Sequence, residues 1–91
     1  MMNTNTEETC RCVGGPLHRH PFPVIGVAVG LTYRLSGDFL NDPARTADYE
    51  RKPLTRPTAE GLQMREFFVL DTLTDTDALM ETLADPDTFW T

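Results

Sequence analysis

Four side chains near the start of the chain are of types that ligate metals or act as nucleophile and base: Cys10, Cys12, His18 and His20. They stand as Cys-x-Cys and His-x-His on either side of the turn signal Gly14-Gly15-Pro16. A β-hairpin turning about Gly15 sets Cys12 opposite His18 and Cys10 opposite His20. Residues i and i+2 of a strand share a face, so all four side chains then project to one side. The positions lie ~6.8 Å apart along a strand and ~5 Å apart across it, a rectangle over which a tetrahedral ion with bonds of ~2.0 to 2.3 Å fits. Two thiolates and two imidazoles favour zinc in a closed, structural site, and zinc is the one candidate cofactor. This spacing is not a recurrent zinc-finger pattern, so the competing expectation is an edge segment with surface histidines, or a thiol buried as a small hydrophobe. The single residue between Cys10 and Cys12 strains a disulfide, and free thiols fit a reducing compartment.

A Cys–His nucleophile pair from the same residues lacks an evident oxyanion element. The sequence contains no G-x-S-x-G, Walker loop, G-x-G-x-x-G or H-E-x-x-H. The carboxylate pairs Asp75/Asp77 and Asp85/Asp87 are accounted for by helix capping more cheaply than by acid/base chemistry. The expectation is a protein without enzymatic activity.

The formal charge is −6, and it is unevenly placed. Residues 1–33 and 34–66 are each neutral, whereas residues 67–91 carry Asp71, Asp75, Asp77, Glu81, Asp85 and Asp87 with no Lys or Arg. Such a surface repels nucleic acid and anionic membrane and suits a basic partner, although an acidic helix face also serves solubility alone. Arg45, Arg51, Lys52 and Arg56 are interleaved with Asp48 and Glu50, which argues for local ion pairs rather than direct nucleic-acid binding. No secretory signal or membrane-spanning run is evident, so the expected location is cytoplasmic.

The 91 residues, with 40% apolar content, make one small domain to carry these side chains. Residues 1–9 read as a polar, flexible tail and residues 10–91 as the domain. The longest nearly uncharged apolar run, VIGVAVGLTYRL at residues 24–35, has period-2 character. Ile25, Val27, Val29, Leu31, Tyr33 and Leu35 form a large face, and Val24, Gly26, Ala28, Gly30, Thr32 and Arg34 a small one. It is expected to be the central core strand. Phe67, Val69, Leu79, Met80 and Leu83 are expected against its large face, while its small face has no obvious cover.

Asp42 with Pro43 predicts a short helix to about residue 50 or 51, with Tyr49 as its anchor, ahead of an extended stretch at residues 51–58. Residues 62–73, centred on Phe67-Phe68-Val69-Leu70, predict a second core strand covered on both faces. Thr74 and Asp77 predict the start of a helix whose apolar stripe is Ala78, Leu79, Met80, Leu83 and Ala84, ending before Pro86. Asp85-Pro86-Asp87 predicts one more turn, leaving Phe89 and Trp90 either folded onto the core or waiting for a partner. A third strand must come from residues 10–20, residues 52–57 or a second copy of the chain. The expected fold class is a small α+β domain with two to four antiparallel strands, a C-terminal helix and one short helix in a long connection.

The resulting functional expectation is a protein–protein interaction module of accessory or inhibitor type, with Asp75, Asp77, Glu81, Asp85, Asp87, Phe89 and Trp90 as its partner-binding residues. Small acidic proteins that phages encode to block host machinery share this size and charge, and one version of the reading is acidic mimicry of nucleic acid. The alternatives are a zinc-stabilised structural module and a homodimer formed through residues 24–35.

Overall fold

The structure, a computed structural model, describes residues 8–24, 26–37, 41 and 44–91. Five strands, β1 (Thr9–Val13), β2 (Pro21–Pro23), β3 (Thr32–Ser36), β4 (Thr46–Thr58) and β5 (Gly61–Leu70), form one sheet in the order β2-β1-β5-β4-β3. Two helices follow, α1 (Asp75–Leu83) and the single turn α2 (Pro86–Phe89). The α+β expectation holds, but the strand count and the antiparallel expectation do not, because β1 runs parallel to β5 from Cys12↔Phe68 to Val13↔Val69. Residues 10–20 and 52–57 both contribute strands, so the sheet is completed within one chain.

The centre of the sheet is β5. Phe67, Phe68 and Val69 are all buried, and alternation sends them to opposite sides. Phe67 and Val69 join Val13, Leu54, Ala78, Phe89 and Trp90 beneath the helices. Phe68 joins Cys10, Cys12, Leu17, Val24 and Tyr49 on the other side. Two small cores therefore flank the Phe67–Val69 part of β5, as the unbroken apolar run predicts, whereas the strand expected over residues 62–73 ends at Leu70 and is not covered at its start, where Leu62 and Met64 are exposed.

The expected central strand is corrected. Among the described residues of 24–35, only those from Thr32 onward are in a strand, and that strand lies at one edge of the sheet. Gly26 and Gly30 adopt φ of +78° and +90°, left-handed conformations that end an extended run and that glycine reaches without steric cost. Val29 and Leu31 are consequently 50% and 56% exposed, and among the described residues nothing lies within 4 Å of the Cβ position of either glycine. Ile25, expected on the large face, lies outside the described residues.

The helix expected at residues 42–51 is likewise corrected: its start, Asp42-Pro43, lies outside the described residues, and Thr46 onward belongs to β4. Pairing on both sides overrides the cap signal, since Tyr49 faces Tyr33 on β3 and Leu70 on β5. Tyr49 is an anchor nonetheless, fully buried on a strand. Of the expected tail, residues 1–7 lie outside the described residues. Thr9 starts β1, and the Glu8 carbonyl accepts the Val24 N–H at 3.2 Å.

Helix α1 begins as its sequence predicts, with the Thr74 hydroxyl accepting the Asp77 N–H at 3.1 Å. Its buried stripe differs from the expected one. Ala78 and Thr82 face the core, Thr82 donating to the Leu79 carbonyl at 2.7 Å, whereas Met80 and Leu83 are exposed. Among the described residues, no helix is long and apolar enough to cross a membrane.

Candidate functional site

The Gly-Gly-Pro segment does turn, but in a different register from the one that assembles the four ligand-type side chains. Cys10 pairs with Phe22, and the Cys12 N–H donates to the His20 carbonyl at 2.9 Å, so paired positions sum to two more than a turn about Gly15 requires. The longer loop is set by left-handed Gly14, Gly15 and Arg19 and pinned by Tyr49, whose hydroxyl accepts the Leu17 N–H and donates to the Gly14 carbonyl. His18 then swings away from the thiols. Its Nδ1 accepts the Gly14 N–H at 2.7 Å and its ring lies 5.3 Å from that of Phe89, on the helix side of the sheet. Cys10 and Cys12 belong to the opposite core. The expected rectangle is not formed, and among the described residues no three His, Cys, Asp or Glu side chains are grouped to hold a metal ion.

Electrostatics act in the same direction. Burial pushes the Cys12 thiol up to about 12, with Cys10 adding to the effect, and burial also raises Cys10 against the pull of Arg51. Both are held as thiols, the weakly ligating and weakly nucleophilic form. Burial lowers His18 from its ordinary value and outweighs Glu81, whose carboxylate is 3.8 Å from Nε2. The accepted Gly14 N–H fits the same neutral form.

The five acidic residues expected to bind a partner divide into two groups. Asp75 is paired with Lys52 at 2.8 Å and Asp85 with Arg19 at 2.8 Å, so these two tie the helices to the sheet and to the loop after β1. Asp77, Glu81 and Asp87 are exposed. Phe89 and Trp90 are buried, packing edge-to-face on Phe67 with ring centroids 5.8 and 5.3 Å away. Arg56 lies 4.9 Å over the Trp90 ring. The terminal aromatics thus fold onto the core, one of the two outcomes the sequence left open.

Two surface features had no clear sequence signal. The first is the far part of the β4–β5 hairpin. Register places Pro57 opposite Leu62, Thr55 opposite Met64 and Pro53 opposite Glu66, all on one face. There Leu62 is 79% exposed and Met64 67% exposed. The other face is held down, since Arg56 covers Trp90 and Arg65 Nη1 donates to the Phe89 and Thr91 carbonyls, each at 2.8 Å. The sequence reads residues 62–73 as one strand covered on both faces, and that α2 would cover one face of its start and leave the other open is not visible in it.

The second feature is a cleft of about 560 Å³ where β1 and β5 part. Thr9, Cys10 and Arg11 of β1 and Arg65, Glu66 and Phe67 of β5 line it, together with Phe89. Arg51 also borders it, bonded through Nε and Nη2 to Glu66 at 2.9 and 2.6 Å and through Nη1 to the Val27 carbonyl at 2.6 Å. Comparison of the chain with protein-family models, curated proteins and solved structures finds no match.

Proposed function

We propose that the chain is a protein-interaction module of accessory or inhibitor type that binds another protein through the β4–β5 arm. The observation that supports this is the adjacent exposure of Leu62 and Met64 on one face of an arm whose opposite face is fixed to α2. Leaving two large apolar side chains in water costs burial energy, which a partner surface recovers at about 25 cal/mol per Å². Methionine adapts to a partner's shape, and the rigid backing limits the entropy lost on binding. A pull-down from the native host with the full chain as bait tests the reading. The double variant Leu62→Glu, Met64→Glu is expected to lose the captured protein, and capture equal to that of the unaltered chain would overturn the arm as the contact.

A second reading keeps the acidic face as the contact for a basic partner. It is favoured by the exposure of Asp77, Glu81 and Asp87, three acids outside the ion pairs of Asp75 and Asp85. The two readings separate on salt. Binding through Leu62 and Met64 survives a rise in ionic strength to about 1 M, whereas binding through exposed carboxylates is screened and fails when the three acids become Asn or Gln.

A further inference from the structure

The hydrogen-bond parity of the sheet shows which backbone groups face the cleft. The Asp71 N–H donates to the Asp48 carbonyl at 3.0 Å in line with the β4–β5 register, so even-numbered residues of β4 bond to odd-numbered residues of β5. The N–H and C=O groups of Leu62, Met64 and Glu66 therefore point away from β4, toward the side on which β1 lies. On β1, Cys12 donates to His20 and accepts from Arg19, so even-numbered groups face β2. The N–H and C=O of Thr9 and the N–H of Arg11 face β5. The β1–β5 ladder starts only at Cys12↔Phe68, which leaves these groups on both walls of the split without a strand partner among the described residues.

The other edges of the sheet are guarded. On β2, Pro21 and Pro23 stand on either side of Phe22, at the positions whose backbone turns outward, and contribute no N–H there. On the outer edge of β4 beyond β3, Pro53 and Pro57 do the same, since odd-numbered β4 residues face away from β5. β3 is five residues long and carries Arg34. The β5 edge from Leu62 to Glu66 has no proline, and the exposed side chains along it are apolar.

We propose that this edge takes up an extended, acidic peptide segment of a partner protein as an added strand, entering the split between β1 and β5. The inference rests on the interaction-module reading and names how the partner binds. Unpaired backbone groups at strand spacing specify an extended backbone, with main-chain bonds giving affinity and alternate side chains giving selectivity. On the helix side of the added strand lie Arg11 and Arg65, each bonding, among the described residues, through Nη1 alone, to the Arg19 carbonyl and to the Phe89 and Thr91 carbonyls. Their remaining donors suit a carboxylate. On the other side lie Leu62, Met64 and the buried Val24, which suit apolar residues, with Glu66 neutralised by its ion pair with Arg51 at the inner end. The preferred segment alternates acidic and apolar residues.

The test uses the full chain labelled with nitrogen-15 and a blocked peptide of about eight residues, alternating valine with glutamate and threonine, which spans the open edge of about 16 Å from Leu62 to Glu66 at ~3.3 Å per residue and overhangs it at both ends. Amide signals of Thr9, Arg11, Leu62, Met64 and Glu66 are expected to shift on titration. N-methylation of alternate peptide amides, or Met64→Pro in the protein, is expected to weaken binding about tenfold. Met64→Pro leaves the ladder to β4 intact, as Pro53 and Pro57 do on the neighbouring strand, and the spectrum of the free variant checks the fold. Met64→Ala, which keeps the N–H, is expected to bind more tightly than Met64→Pro.

No shifts at about 1 mM peptide, equal binding by the N-methylated peptide, or shifts centred on α1 or β3 would overturn the proposal. A lysine-for-glutamate peptide that binds equally overturns its acidic part. A native partner that is lost with Leu62→Glu, Met64→Glu but retained by Met64→Pro as well as by Met64→Ala refutes strand addition while leaving the interaction reading intact.

Discussion

Tyr49 and Gly14, 35 positions apart in sequence, are joined by a hydrogen bond in which the phenol hydroxyl donates to the glycine carbonyl at 2.7 Å. The same oxygen accepts the Leu17 N–H at 3.1 Å. One side chain on β4 therefore fixes the loop that sets the β1–β2 register, and that register decides where both thiols and His18 go. Tyr49→Phe leaves a buried N–H and a carbonyl without their partner, at a cost of about 1–3 kcal/mol. Urea unfolding followed through Trp90, the single tryptophan, measures it. A midpoint equal to that of the unaltered chain would show that the hydroxyl is dispensable.

Gly15 sits against the same hydroxyl. Its φ is +70°, and a Cβ there meets the Tyr49 oxygen at 2.8 Å and Leu70 at 3.0 Å. Gly15→Ala is expected to destabilise through both the backbone conformation and the clash. In the background of Tyr49→Phe only the clash with oxygen is relieved. The double-mutant cycle is therefore expected to show coupling of about 0.5 kcal/mol or more, and strict additivity contradicts the packing described.

Stability is expected to fall at alkaline pH. Cys12 is raised from 9.0 to about 12 and Tyr49 from 10.0 to about 12, both chiefly by burial. The folded chain holds these protons after the unfolded chain has begun to release them. The contribution is fully present below about pH 9 and is lost as the pH rises from there toward 12. Urea midpoints between neutral pH and pH 11 measure the slope, and Cys12→Ala should make it shallower.

A second titration acts on the acid side. His18 is lowered from 6.5 by burial, so the unfolded chain takes up this proton first, and stability falls as the pH drops below 6.5. Protonation also abolishes the Nδ1 acceptor used by the Gly14 N–H. His18→Asn, which offers an oxygen acceptor without a titrating group, is expected to flatten the dependence between pH 7 and 5. An unchanged slope would place the acid sensitivity elsewhere.

The cap of α1 gives a local prediction. Thr74→Ala removes the acceptor of the Asp77 N–H and is expected to cost about 1 kcal/mol. Thr74→Asp should restore most of it, because a carboxylate also accepts that bond and complements the helix N-terminus. Thermal unfolding of the two variants compares them, and equal losses for Ala and Asp would count against the cap.

What the sequence determined by itself was local or strongly patterned. Thr74 to Asp77 carried a helix start in four residues, Pro86 ended the helix, and Phe67-Phe68-Val69 marked a strand buried on both faces. What it left undecided depended on partners distant along the chain. The run at residues 24–35 has the composition of a core strand, yet left-handed Gly26 and Gly30 interrupt it and β5 takes the central place. Residues 46–50 follow a helix-start signal but are claimed by β3 and β5. The zinc geometry required a particular hairpin register, and Tyr49, more than thirty positions away, sets another. The open edge of β5 could not be read locally at all. It exists because β1 joins β5 only from Cys12 onward, and backbone hydrogen-bond parity becomes visible only once the strands have paired.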